Sequence, residues 1–240
     1  NDDSDAVNAY FGTIGTEKGV KYAGLASKYA QVQGLDPDTA RKLNILRGAL
    51  VLAAPSSPGA AAELNEITTR LQSTYGKGRA THRGKTITGD DAEELMGTLR
   101  NPAELAEVWK SWHENVGRPM RADYTRMVEI ANQGAKELGY ADTGALWRSN
   151  YDMTPEQFSA LYDRLWSEVK PLYDQLHCYT RGKLNQKYGN AVQPATGPIR
   201  ADLLGNMWAQ EWGNIYDIVA PKGAGDIGYD LTELLVAKKY

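Results

Sequence analysis

The sequence predicts an all-α fold, and three observations carry that prediction. Apolar residues recur at helical spacing through most of the chain, as in Leu64, Ile67 and Leu71, or Phe158, Leu161, Leu165, Val169, Leu172 and Leu176. Spacings of three and four line up one face of a helix. Start and stop signals bracket these runs: Thr154-Pro155-Glu156 offers a cap, a first-turn proline and an acid, and Tyr188-Gly189-Asn190 offers a stop. Finally, no segment shows a convincing strand alternation, and no internal repeat is present.

Taken in order, residues 5–31 carry loosely helical apolar spacing interrupted by Gly12, Gly15 and Gly19, which predicts one or two helices of moderate stability. Asp36 is placed to cap a second helix running through TARKLNILRGALVLAA, which Pro55, Pro58 and Gly59 end in a loop. AAAELNEITTRLQSTYG is a third helix, closed by Gly76. Acidic residues at Asp90 and Asp91 favour a helix start there, and Asn101-Pro102 opens the next, through Leu105, Val108, Trp109 and Trp112. Gly117-Arg118-Pro119 reads as a break before a helix that carries Tyr124, Met127, Ile130 and Ala131 and ends near Gly139. The long helix after Thr154 is expected to bend or restart at Pro171. In Gly197–Pro221, the spacing of Leu204, Trp208, Trp212, Ile215 and Val219 predicts a further core helix, entered at Pro198 and stopped at Pro221. Gly223 to Gly228 reads as a glycine-rich loop, and LTELLVAKK as a helix that reaches Tyr240 without a stop signal, so that the chain is expected to be part of a longer one.

Composition narrows function by exclusion. The chain has 240 residues, 24% of them charged and 42% hydrophobic, with a net charge of −3. This is the balance of a globular protein with a sizeable core. It has no basic stripe of the kind nucleic acid selects and no apolar run long enough to span a membrane. The acidic, polar N-terminus NDDSDAVNAY is not a signal peptide. Cys178 is the only cysteine, which rules out an intrachain disulfide; in QLHCY, inside a helical pattern, it reads as a buried thiol.

Two stretches tempt a chemical reading and fail it. GKGRATHRGKTITG is basic and glycine-rich, and Gly84-Lys85-Thr86 matches the end of a phosphate-binding loop. Arg79 stands where the first glycine of that motif belongs, so a solvated hairpin or loop is expected. His113-Glu114 begins like the zinc-protease motif H-E-x-x-H, but Gly117 replaces the second histidine, and His82, His113 and His177 are too far apart for a local metal pattern. On residues alone the chain is a helical domain of one of two kinds: a binding or scaffold protein, or one portion of a larger helical enzyme.

ALWRSNY, EVKPLYDQLHCYTRGKLNQKYG and GPIRADLLGNMWAQEWGNIYDIVAP resemble, in order, successive signatures of the angiotensin-converting enzyme family. The likeness is close over residues 100–221 and weaker over 1–99. It implies a mostly helical, ellipsoidal domain with a central groove, and a zinc-dependent peptidyl-dipeptidase that removes C-terminal dipeptides from oligopeptides. The family's zinc motif falls beyond the equivalent of Tyr240. The resemblance therefore implies that zinc ligands lie outside this chain, that the remainder of the same catalytic domain is its partner, and that residues 1–240 alone are inactive. The alternative is a non-catalytic helical binding or scaffold protein of the same ancestry.

The resemblance also implies roles for individual positions. Tyr151 matches a tyrosine that helps bind an activating chloride. His113 stands where a second chloride site needs arginine, so at most one chloride is expected. Gly89, with Asp90 beside it, occupies the place of an acidic substrate contact. The stretch after Thr74-Tyr75 lacks the cysteines of animal members and looks bacterial in type. Residues 1–75 resemble the family's lid helices and 76–240 a groove wall, incomplete at the C-terminus. Secretion or a periplasmic location is implied by the family.

Overall fold

The computed structural model describes residues 2–223 and 231–239, so most of the loop expected at 223–228 lies outside the described residues. The described elements are α1 (Asp2–Ser27), α2 (Pro37–Gly48), α3 (Ala60–Gly76), β1 (Arg79–His82), β2 (Lys85–Thr88), α4 (Gly89–Thr98), α5 (Pro102–Trp112), a π-helical turn (His113–Gly117), α6 (Arg118–Glu137), α7 (Thr143–Arg148), α8 (Pro155–Tyr188), α9 (Tyr216–Val219) and α10 (Thr232–Ala237). Helices dominate, as expected; β1 and β2 form an antiparallel hairpin in the basic stretch. The chain divides into two units: Asn1–Ala92 with Glu107–Pro171, and Glu93–Ala106 with Leu172–Tyr240.

In the first unit α3 packs against α1 and α6. Leu64, Ile67 and Leu71 are buried together with Ala54 and Ile130, each contributing roughly 1.5–3 kcal/mol of transfer free energy. α1 is one helix despite its glycines. A methyl at Gly12 would sit 2.8 Å from Asn65 Oδ1, and one at Gly19 2.7 Å from Leu50 Cδ2, so these positions permit close packing rather than breaking the helix. α2 begins as expected, with Asp36 accepting from the Thr39 amide at 3.0 Å, but ends at Gly48, short of the expected span. The apolar run that follows is used otherwise. Ala53 and Ala54 are buried, the Val51 carbonyl accepts from Trp147 Nε1 at 2.5 Å, and Gly134 of α6 lies so close that a methyl there would run into the Ala53 carbonyl. Tertiary contact overrides helix propensity in this segment.

Gly117-Arg118-Pro119 does not break the chain between α5 and α6. The π turn carries it across, with the Arg118 amide donating to the His113 carbonyl five residues back. A proline collides with the carbonyl four residues earlier in an α-helix, and the wider turn relieves that conflict. Pro171 likewise does not interrupt α8, which runs for 34 residues. The expected core stripe of α8 is also corrected. Leu165, Val169, Leu172 and Leu176 are all exposed, Leu172 by 74%. Cys178, on the same helix, is exposed rather than buried.

In the second unit the predicted helix over Gly197–Pro221 is absent. The segment holds two 3₁₀ turns, Ala201–Leu203 and Gly213–Ile215, and the short α9. Gly205 (φ 88°) and Ala209 (φ 55°) are left-handed, which no right-handed helix accommodates. The Asn206 side chain accepts from the Trp208 amide at 2.9 Å and the Gln210 amide at 3.4 Å, offering the backbone a local alternative to helical bonding. Arg100 then fixes the following turn, donating to the Asn214 carbonyl (2.7 Å) and to both oxygens of Asp217 (3.0 and 3.3 Å). Leu204 and Ile215 are still buried, whereas Trp208 is 43% exposed. Asp202 is buried, and its carboxylate is held at 2.5 and 3.0 Å by Arg200.

Candidate functional site

Tyr151 follows α7, in the first unit. Its placement begins with two caps. Asp142 accepts from the Ala145 amide at 2.7 Å and starts α7. Thr154 and Gln157 form a reciprocal box, with the Gln157 amide donating to Thr154 Oγ1 at 3.2 Å and the Thr154 amide to Gln157 Oε1 at 2.9 Å, which starts α8. Between these caps the Tyr151 ring lies 4.4 Å, centroid to centroid, from Phe158, which in turn stacks on Tyr162 at 4.5 Å. The phenol is 52% exposed, and its hydroxyl bonds to no group among the described residues. Such a hydroxyl can donate to an anion. The nearest recorded cation in the turn is Arg41, paired with Asp152 at 3.3 Å. Sequence reading had placed Phe158 in the core stripe and had not singled out Tyr162; their spacing of four on one helix was the available signal.

The other positions are placed as follows. His113 stacks on Trp109 at 4.0 Å, and its Nδ1 lies 2.7 Å from the Trp109 carbonyl, which makes that nitrogen the donor. Because His113 to Gly117 form a π turn, the i, i+4 geometry of a zinc-protease helix does not exist there. A side chain at Gly89 would meet the Trp112 ring at 2.9 Å, so an acidic residue cannot occupy this position without displacing it. Asp90 is exposed at the start of α4. The neighbouring Asp91 is held below the usual carboxylate range by hydrogen bonds from the Thr88 hydroxyl and amide.

Among the described residues, no three His, Cys, Asp or Glu side chains converge as a metal site. His177 packs near Tyr173 and Trp212, with ring centroids 6.1 Å away in each case, and Arg181 lies 3.3 Å from its Nδ1. The donor set of this chain therefore does not fit a catalytic zinc. No described helix is long and apolar enough to cross a membrane.

Comparison with known proteins gives these signatures their context. The family model for angiotensin-converting enzyme matches residues 3–240. The chain is 43% identical to angiotensin-converting enzyme of Bos taurus over 161 residues, covering 66% of this chain and 12% of the relative. It is 38% identical to that of Rattus norvegicus over 181 residues, covering 75% of this chain and 14% of the relative. Against angiotensin-converting enzyme of Haematobia irritans exigua it is 33% identical over 184 residues, covering 75% of this chain and 30% of the relative. The chain thus spans less than a third of each of these relatives, and its collinear match from residue 3 to residue 240 establishes that it belongs to the angiotensin-converting enzyme family.

Proposed function

We propose that the chain is part of a zinc-dependent peptidyl-dipeptidase that removes C-terminal dipeptides from oligopeptides. The observation that carries this reading is the family match across residues 3–240. The zinc ligands belong to residues outside this chain, since its own donor set does not fit the metal. Its partner is the remainder of the same catalytic domain, and the protein acts outside the cell or in the periplasm. Residues 1–75 serve as lid helices and 76–240 as one groove wall. Exposed Tyr10 and Phe11 on α1, at 65% and 66%, support a helix with apolar surface to place against something else. Tyr151 binds chloride through its hydroxyl; its exposure and its unbonded oxygen support that role.

Two experiments test this reading. A tripeptide assay of the intact protein should show dipeptide release that a chelator abolishes, while residues 1–240 alone should show neither turnover nor stoichiometric zinc uptake. Absence of turnover in the intact, zinc-loaded protein would instead identify a helical binding or scaffold protein of the same ancestry. In a chloride titration of the intact enzyme, Tyr151→Phe should weaken activation; an unchanged chloride response removes Tyr151 from the site.

A further inference from the structure

The β1–β2 hairpin is unused by the reading above, and its two edges are treated unequally. Arg83 (φ 50°) and Gly84 (φ 71°) form a two-residue turn, and the register pairs His82 with Lys85, Thr81 with Thr86, Ala80 with Ile87 and Arg79 with Thr88. In such a hairpin the pair flanking the turn is hydrogen-bonded and the next is not. Thr81 and Thr86 therefore direct their amides and carbonyls outward, on opposite edges. On β1 that edge is occupied: the Thr81 amide donates to Ser111 Oγ at 2.8 Å, and Asn115 Nδ2 donates to the Arg79 carbonyl at 3.3 Å. On β2 the Thr88 amide is taken by Asp91 at 3.0 Å. The Thr86 amide and carbonyl meet no group among the described residues, and Thr86 is exposed.

We propose that the outer edge of β2 receives an extended acidic peptide segment as a third strand, bonded through the backbone of Thr86. Two further features select this occupant. Glu107 accepts from the Arg83 amide at 2.9 Å and the Gly84 amide at 3.3 Å, which holds the turn and leaves little to be ordered on binding. Residues 77–85 contain Lys77, Arg79, His82, Arg83 and Lys85 and no acid. A lysine on a strand edge repels a second copy of the same hairpin, whereas an acidic strand meets complementary charge as it adds to the edge.

The test is amide NMR of the whole chain titrated with a synthetic peptide of alternating Glu and Thr, about eight residues long. The expected result is shifts centred on Thr86 with slowed exchange of its amide. Thr86→Pro, which removes an outward N–H and no ladder bond, should weaken binding about tenfold, whereas Thr86→Ala should bind like wild type. Lys85→Glu should weaken binding and flatten its salt dependence. Absence of shifts at Thr86 in low salt overturns the proposal. So does equal binding of the same peptide N-methylated at alternate residues, which would mean attraction by charge alone; that arm does not depend on any variant folding.

Discussion

α3 and the segment Gly197–Pro221 present the same apolar spacing in sequence and differ completely in structure. In α3 the stripe of Leu64, Ile67 and Leu71 lies on a helix and is buried. In Gly197–Pro221, Leu204 and Ile215 are buried from separate turns, and Trp208 is 43% exposed. The difference lies in the residues between the apolar positions. α3 has good helix formers there, whereas the second segment has Gly205-Asn206 and Gly213-Asn214, both of them turn dipeptides. Periodicity describes a surface on offer; local backbone chemistry decides whether a helix presents it.

The largest effect that sharpens this contrast is in the first core. Leu64→Ala should cost about 3 kcal/mol in urea unfolding, while Trp208→Ala should cost under about 1 kcal/mol because the indole is already half in water. A Trp208 cost equal to that of Leu64 would erase the distinction. Next, Asn206→Ala should lose about 1–2 kcal/mol by stripping the acceptor from the Trp208 and Gln210 amides, with Asn206→Asp retaining most of it. Removing the cap of α2 by Asp36→Ala should cost about 1 kcal/mol, read as loss of helical circular dichroism on heating.

The smallest effect is electrostatic. Hydrogen bonds from Arg100 hold the Asp217 carboxyl below its ordinary range. Its contribution is therefore present above the unfolded value near pH 4 and is lost as pH falls through the lower folded value. The Asp217 side chain is 62% exposed, so the contribution is screened and small. An acid-unfolding curve of Asp217→Asn should differ from wild type above pH 4 and converge with it below.

Where local signals and tertiary contacts agree, the fold could be read from residues. α3 matches its expected span, the Asp36 and Thr154 caps are where composition puts them, and α6 ends just before Gly139, which adopts φ 88°. Disagreement arises where an environment invisible to periodicity takes over. Ala49–Ala54 gives up helix to pack beneath α6, and Gly134 permits it. The apolar stripe of α8 is real as a stripe and exposed as a surface. The hairpin was hidden because its strands are only four residues long and mostly polar. Tyr151 was not legible from chemistry at all. A tyrosine after a short helix carries no distinguishing pattern, and only the surrounding WRSNY resemblance singled it out.

The π turn at His113–Gly117 has a consequence for how this region tolerates change. It amounts to one residue more than an α-helix would use to join α5 to α6. Deleting any one of these five residues would restore α geometry and rotate everything downstream by roughly 100°. Ile130 would then leave its cluster, and Gly134 would no longer face Ala53. The turn thus sets the phase of α6, so the region should accept many substitutions there while being intolerant of a single-residue gap.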